Sequence, residues 1–97
     1  MIEVRQTSTF AKWLKLLRDE NARARIAVRI RRLSLGNVGD VKPVGSGVCE
    51  MRVDYGPGYR IYFVQKSDAI VILLTGGDKR SQKKDIEAAK TLARELE

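Results

Sequence analysis

Histidine is absent from the chain, cysteine occurs once, proline twice, and no aromatic residue follows Phe63. Without histidine, the usual metal ligand and the usual acid–base side chain at neutral pH are both missing, so any chemistry has to rest on other groups. The single thiol, Cys49, excludes a disulfide framework within the chain and suits a reducing cytosol. Long apolar runs are missing too. The longest, Ala69 to Leu74, falls far short of the roughly 20 residues a helix needs to cross a bilayer. Met1 leads directly into the charged, strand-like IEVRQT, with no apolar signal core. These absences describe a cytoplasmic protein with no membrane segment. The 97 residues suffice for one domain, residues 1–97, with one modest core.

What the chain has in excess is positive charge, 19 basic against 12 acidic residues, +7 in all. The excess is uneven. Met1 to Gly36 holds nine basic and three acidic residues, Asn37 to Lys66 four and three, and Ser67 to the end six and six. A basic first third favours a polyanionic partner, although net charge also serves solubility.

Ile2 to Gln6 alternates and reads as a short strand. Thr7, Ser8 or Thr9 can cap a helix with Phe10, Trp13, Leu14 and Leu17 on one face, which makes Trp13 a core aromatic rather than a stacking platform for a base. Asp19, Glu20 and Asn21 offer a second cap. The helix that follows carries Ala22, Ile26, Ile30 and Leu33 on one side and stops at Gly36. It also holds Arg23, Arg25, Arg29, Arg31 and Arg32 without an acidic residue between them, and neighbouring like charges cost helix stability. That arginine face is either solvated or in contact with a phosphate backbone or an acidic partner protein.

GNVGDVKPVGSG, with four glycines and a proline, reads as loop. EMRVDYGPGYRIYF then shows two alternating runs around Gly56-Pro57-Gly58, the pattern of a hairpin. A three-residue loop, Gly56 to Gly58, pairs Tyr55 with Tyr59, Asp54 with Arg60 and Arg52 with Tyr62. Only an odd loop buries Met51, Val53, Ile61 and Phe63 together, because side-chain direction has period two. Glu50, Arg52, Asp54, Arg60 and Tyr62 then share the opposite face. Ala69 to Leu74 reads as a central strand covered on both sides and ended by Gly76-Gly77. Ser81 can cap a last helix with Ile86, Ala89, Ala93 and Leu96 inward.

Glu50-Met51-Arg52, the following GPGYRIYF and the segment ILLTGGDKRSQKKDIEAA together resemble the RelE/HigB superfamily of bacterial toxins, in its phage-Gp49-like addiction-module killer branch. The likeness extends over essentially the whole chain. It implies a small α+β domain, with an N-terminal strand and two helices packed on a mostly antiparallel sheet of about four strands, and a C-terminal helix. It further implies ribosome-dependent endoribonuclease cleavage of mRNA without cofactor or metal, and inhibition by a helix-turn-helix (HigA-like) antitoxin. The family's catalytic positions fall here on Arg52, Arg60, Tyr62 and Lys79, with Arg80 beside them. Arg80, Lys83 and Lys84, together with Arg23, Arg29 and Arg32, are the expected contacts to RNA or ribosome.

The residue types suit that chemistry. Attack of a 2′-hydroxyl on its own phosphate needs the developing phosphorane charge stabilised, and the planar, permanently charged forks of Arg52 and Arg60 can do so. Tyr62 can orient the hydroxyl or stack on a base, and Lys79 can reach over the sheet from the next strand's end. Tyrosine and lysine titrate near 10 when unperturbed, so either needs nearby cations to act as a base. Glu50 is the other base at hand, or else the ion-pair partner of Arg52 or Arg60. A gyrase poison of the ParE type and a non-catalytic RNA- or antitoxin-binding module are the competing functions.

Overall fold

The computed structural model describes residues 1–96; residue 97, the end of the expected domain, lies outside them. Eight elements follow in the order β1 (Glu3–Gln6), α1 (Ser8–Leu16), α2 (Glu20–Ser34), β2 (Val41–Gly45), β3 (Val48–Val53), β4 (Tyr59–Ser67), β5 (Ile70–Gly77) and α3 (Gln82–Glu95). The strands form one sheet in the order β1-β5-β4-β3-β2, antiparallel except where β1 runs parallel to β5. The α+β class and the mostly antiparallel sheet agree with the reading of the sequence.

Two of the three helices, α1 and α2, start where a side chain meets an orphan backbone donor. Ser81 stands at the cap position of α3 but does not cap it as expected, because its hydroxyl is engaged by Asp85 Oδ2 and the Asp78 N–H instead. Thr7 Oγ1 accepts from the Phe10 N–H at 3.0 Å and donates to the Leu74 carbonyl at 2.6 Å, so one hydroxyl caps α1 and ties it to β5. Asp19 Oδ1 accepts from the Asn21 and Ala22 N–H groups at the start of α2. Gly36, at φ +92°, lets the chain turn out of α2, its N–H donating to the Leu33 carbonyl. Phe10 of α1 and Ala22, Ile26 and Leu33 of α2 are buried. Phe10, Ile26 and Leu33 pack with Met51, Val53, Ile61, Phe63, Val71 and Leu73 into the larger core. Burying each of these large side chains contributes about 1.5–3 kcal/mol. The sheet's other face carries Val48, Tyr62, Ile72 and Leu74 under Ala89 of α3.

Three details of the sheet also depart from expectation. The stretch read as loop contains β2, which makes five strands rather than about four. It is an edge strand, and that position tolerates Pro43 because one of its edges needs no ladder donor. The β3–β4 register differs by two residues: Arg52 pairs with Arg60, Glu50 with Tyr62 and Val53 with Tyr59, leaving residues 54–58 as a five-residue turn. The parity is unchanged, so the faces are as expected. Tyr55 leaves the ladder for α2, where its hydroxyl donates to Asp19 Oδ2 at 3.1 Å and its ring lies 4.6 Å from the Arg25 guanidinium carbon. Finally, β5 does end at Gly76-Gly77, but the strand runs on past Leu74 through both glycines, which pair with Ile61 and Arg60 as its last residues. Their lack of a side chain admits close neighbours: a Cβ on Gly76 would stand 2.4 Å from the Trp13 ring, and one on Gly77 1.7 Å from Asp85 Oδ2.

Candidate active site

Strand alternation puts Glu50 and Arg52 of β3 and Arg60 and Tyr62 of β4 on the face that α3 covers. The N-terminal turn of α3 closes only part of that face, and the burial divides accordingly. Glu50 and Tyr62 are fully buried, whereas the Arg52 side chain keeps 40% of its exposure and Arg60 about 10%.

Glu50 is the centre of the arrangement. Its Oε2 accepts from the Tyr62 hydroxyl at 3.1 Å and from Gln82 Nε2 at 2.9 Å, so one strand neighbour and the first residue of α3 hold the carboxylate from one side. Its Oε1 faces Arg52 Nε at 3.5 Å, Arg60 Nε at 3.7 Å and Lys42 Nζ at 4.0 Å. None of these three contacts has hydrogen-bond geometry; Glu50 Oε1, Arg52 Nε and Arg60 Nε are buried without hydrogen-bond partners among the described residues. The attraction is therefore Coulombic. Arg60 spends Nη1 on the Gly58 carbonyl at 2.9 Å, which fixes its direction along the strand end.

Beyond Arg52 and Arg60 opens a cleft of about 260 Å³, lined by these two arginines with Asp40, Val53, Asp54, Gly58, Tyr59 and Lys79. Gly58, at φ +81°, lets the turn pass close to Lys79, whose Cβ would lie 3.6 Å from a Cβ there. Three of the four expected catalytic positions, Arg52, Arg60 and Lys79, thus meet at one opening.

Tyr62 is not among the cleft's lining residues. It lies opposite Glu50 rather than opposite Arg52, and burial, followed by the Glu50 charge and hydrogen bond, pushes its phenol well above the ordinary 10. It remains a neutral donor that holds Glu50. The aromatic ring at the cleft is Tyr59, whose phenol is also raised, first by burial and then by Asp19 and Asp78.

The remaining cations divide between two other places. Arg80, its side chain 90% exposed and 3.9 Å from Asp78, and the exposed Lys83 and Lys84 stand about the start of α3. On α2, Arg23 donates to the Leu17 carbonyl at 2.6 Å, and Arg29 donates to the Arg52 carbonyl and, at 3.3 Å, to the Val38 carbonyl. Arg29 is thereby a structural tie, seated against Gly39. Arg32 lies with Arg25 along a separate groove on α2.

The sequence reading treated Glu50 as one of two possibilities and passed over Gln82, Lys42 and Tyr59. Alternation with Arg52 was a usable signal for Glu50. Gln82 had none, being 32 residues away in the chain. Among the described residues no three His, Cys, Asp or Glu side chains gather in a way that could hold a metal ion, and no helix is long and apolar enough to cross a membrane.

Compared with known proteins, residues 12–97 match the family model described as phage-derived protein Gp49-like. Over 95 residues the chain is 50% identical to an uncharacterized protein of Haemophilus influenzae, an overlap covering 98% of this chain and 96% of that relative.

Proposed function

The chain belongs to the phage-derived Gp49-like family, and we propose on that footing that it is the toxin of a type II toxin–antitoxin module, a ribosome-dependent endoribonuclease of the RelE/HigB superfamily. The observation that carries this reading is the convergence of Arg52, Arg60 and Lys79 on one open cleft, with Glu50 buried behind the two arginines. A cationic cleft with its anchor on the inner side is preorganised for a phosphate arriving from the outer side.

In the proposed reaction the substrate's 2′-oxygen forms a bond to the adjacent phosphorus, the bond from phosphorus to the 5′-oxygen breaks, and a 2′,3′-cyclic phosphate and a 5′-hydroxyl result. The forks of Arg52 and Arg60 stabilise the phosphorane oxygens. The Lys79 ammonium is the proton donor for the leaving 5′-oxygen. Asp40 and Asp54, which line the same cleft, are the carboxylates within reach of the 2′-hydroxyl proton. Tyr59 offers a ring edge for a base, and Tyr62 acts at one remove by fixing Glu50. Weak bases suffice when the ribosome supplies in-line geometry and the cleft supplies charge. Arg80, Lys83 and Lys84 extend the positive surface toward ribosomal RNA, and a helix-turn-helix antitoxin keeps the protein silent.

Inducible expression in bacteria with mapping of transcript ends tests the proposal. The parent chain should arrest growth and leave new 5′ ends in translated messages. Arg60→Ala with Lys79→Ala should abolish both, since each preorganised donor is worth on the order of 10²–10³ in rate. A folded double variant that arrests growth as well as the parent would refute the assignment. Intact transcripts alongside accumulating DNA breaks would move the protein to the gyrase poisons.

A further inference from the structure

The arginine helix is not absorbed by the cleft. One face of α2 forms, with the β3–β4 turn, a groove of about 450 Å³, larger than the cleft itself. Its floor and walls include Ala24, Val28 and Val53, and its charged groups are Arg25, Arg32, the carbonyl-tied Arg29 and the single acid Asp54. Val28 is half exposed there although it is a β-branched apolar residue on a helix that already buries its opposite side in the core. Arg25 lies over the Tyr55 ring, which keeps its guanidinium at the groove's edge. The Arg32 side chain has no ion-pair or hydrogen-bond partner among the described residues.

We infer that this groove docks an acidic, amphipathic segment of a partner protein. Such a segment would set an apolar side chain on Ala24, Val28 and Val53 and place carboxylates against Arg25 and Arg32. Ala24, Val28 and Arg32 recur at intervals of four along α2, so a helix laid along the groove meets them in turn. A nucleic-acid backbone fits less well, because phosphates gain nothing from the apolar floor and are repelled by Asp54. The groove also adjoins the cleft. Val53 and Asp54 line both, and Arg29 bonds from α2 to the carbonyl of Arg52. An occupant of the groove therefore presses on the wall of the cleft without covering it. The binding stands on the groove alone; what it would control rests on the toxin reading.

Selection of binders to the full-length protein from a random displayed library of 20-residue peptides tests the inference. The enriched peptides should be acidic, with aliphatic residues at helical spacing. Affinity for the best of them should fall about tenfold for each of Arg25→Glu and Arg32→Glu and similarly for Val28→Asp. Lys66→Glu on β4, exposed and distant, should change it little. Unaltered circular dichroism melting of the variants separates lost binding from lost folding. Enrichment of basic or neutral peptides, failure to enrich any, or binding indifferent to the α2 reversals would overturn the proposal. So would a single-stranded RNA oligonucleotide whose binding, and not that of the peptide, is lost on reversal. If peptide docking is found while cellular transcripts stay intact, the nuclease reading falls and the docking site stands.

Discussion

Replacing Glu50 by glutamine removes one charge and almost no volume, which makes it a direct test of what holds the cleft together. In the parent, Oε2 satisfies Tyr62 and Gln82 while Oε1 opposes three cations. Glutamine can keep the first pair of hydrogen bonds through its carbonyl oxygen, but its amide donors then face the arginines. A unit pair near 4 Å is worth about 4 kcal/mol at an effective dielectric of about 20. Arg52 and Lys42 are exposed enough for water to screen them, with side-chain exposures of 40% and 49%, so only Arg60, at 10%, retains most of that value. Stranding one buried charge costs about 3–5 kcal/mol, and the lower end applies here. For a domain of this size, about 3 kcal/mol corresponds to a fall in melting temperature on the order of 10–20 °C. Thermal and urea unfolding followed by circular dichroism would measure it. A double-mutant cycle with Arg60→Met should return a coupling of about 1–3 kcal/mol, because removing both charges removes the strandedness as well. Melting of Glu50→Gln within about 2 °C of the parent, or a coupling near zero, would show that the carboxylate is not the counter-charge of Arg60 and would remove the physical basis for the clamp.

Other perturbations separate further parts of the account. Gly76→Ala should destabilise by about 1–3 kcal/mol and shift Trp13 fluorescence, because the rigid indole cannot yield to a Cβ at 2.4 Å; Gly77→Ala should cost less, since the Asp85 side chain can rotate away. Asp19→Ala should lose about 1 kcal/mol with Asp19→Asn retaining most of it, as read by denaturant midpoint; equal losses would exclude capping as the cause. In an alkaline titration, the phenolate absorbance of Tyr62 should appear only with unfolding. A phenol raised above its ordinary 10 keeps its proton better when folded, so the stability is intact below that value and declines as pH rises beyond it; Tyr62→Phe should flatten the decline.

Most of the fold was legible because local signals agreed with the tertiary outcome. Thr7 and Asp19 cap the helices they announce, the apolar stripes of α1 and α2 meet the core, and the Ala69 to Leu74 run reaches the inside of the sheet because it is apolar on both faces. Where the reading erred, a distant partner prevailed over a local rule. Pro43 and its glycines look like loop in isolation, yet the chain pairs with β3 because an edge strand leaves one side free. The hairpin turn lengthens because Tyr55 gains more from Asp19 and Arg25 on α2 than from a cross-strand neighbour.

By itself the amino-acid order determined which residues share a face: period-two alternation places Glu50, Arg52, Arg60 and Tyr62 together, whatever the length of the turn that joins the strands. It did not determine which of them meet solvent. That was decided when α3, a helix begun some thirty residues later, laid Gln82 over Glu50 and Tyr62 and left Arg52 and Arg60 at the rim. Side-chain direction is a property of the local backbone, but burial depends on what the rest of the chain places above it. Tyr62 therefore lies under cover as a support, while Lys79, brought in from beyond the last strand, stands at the opening.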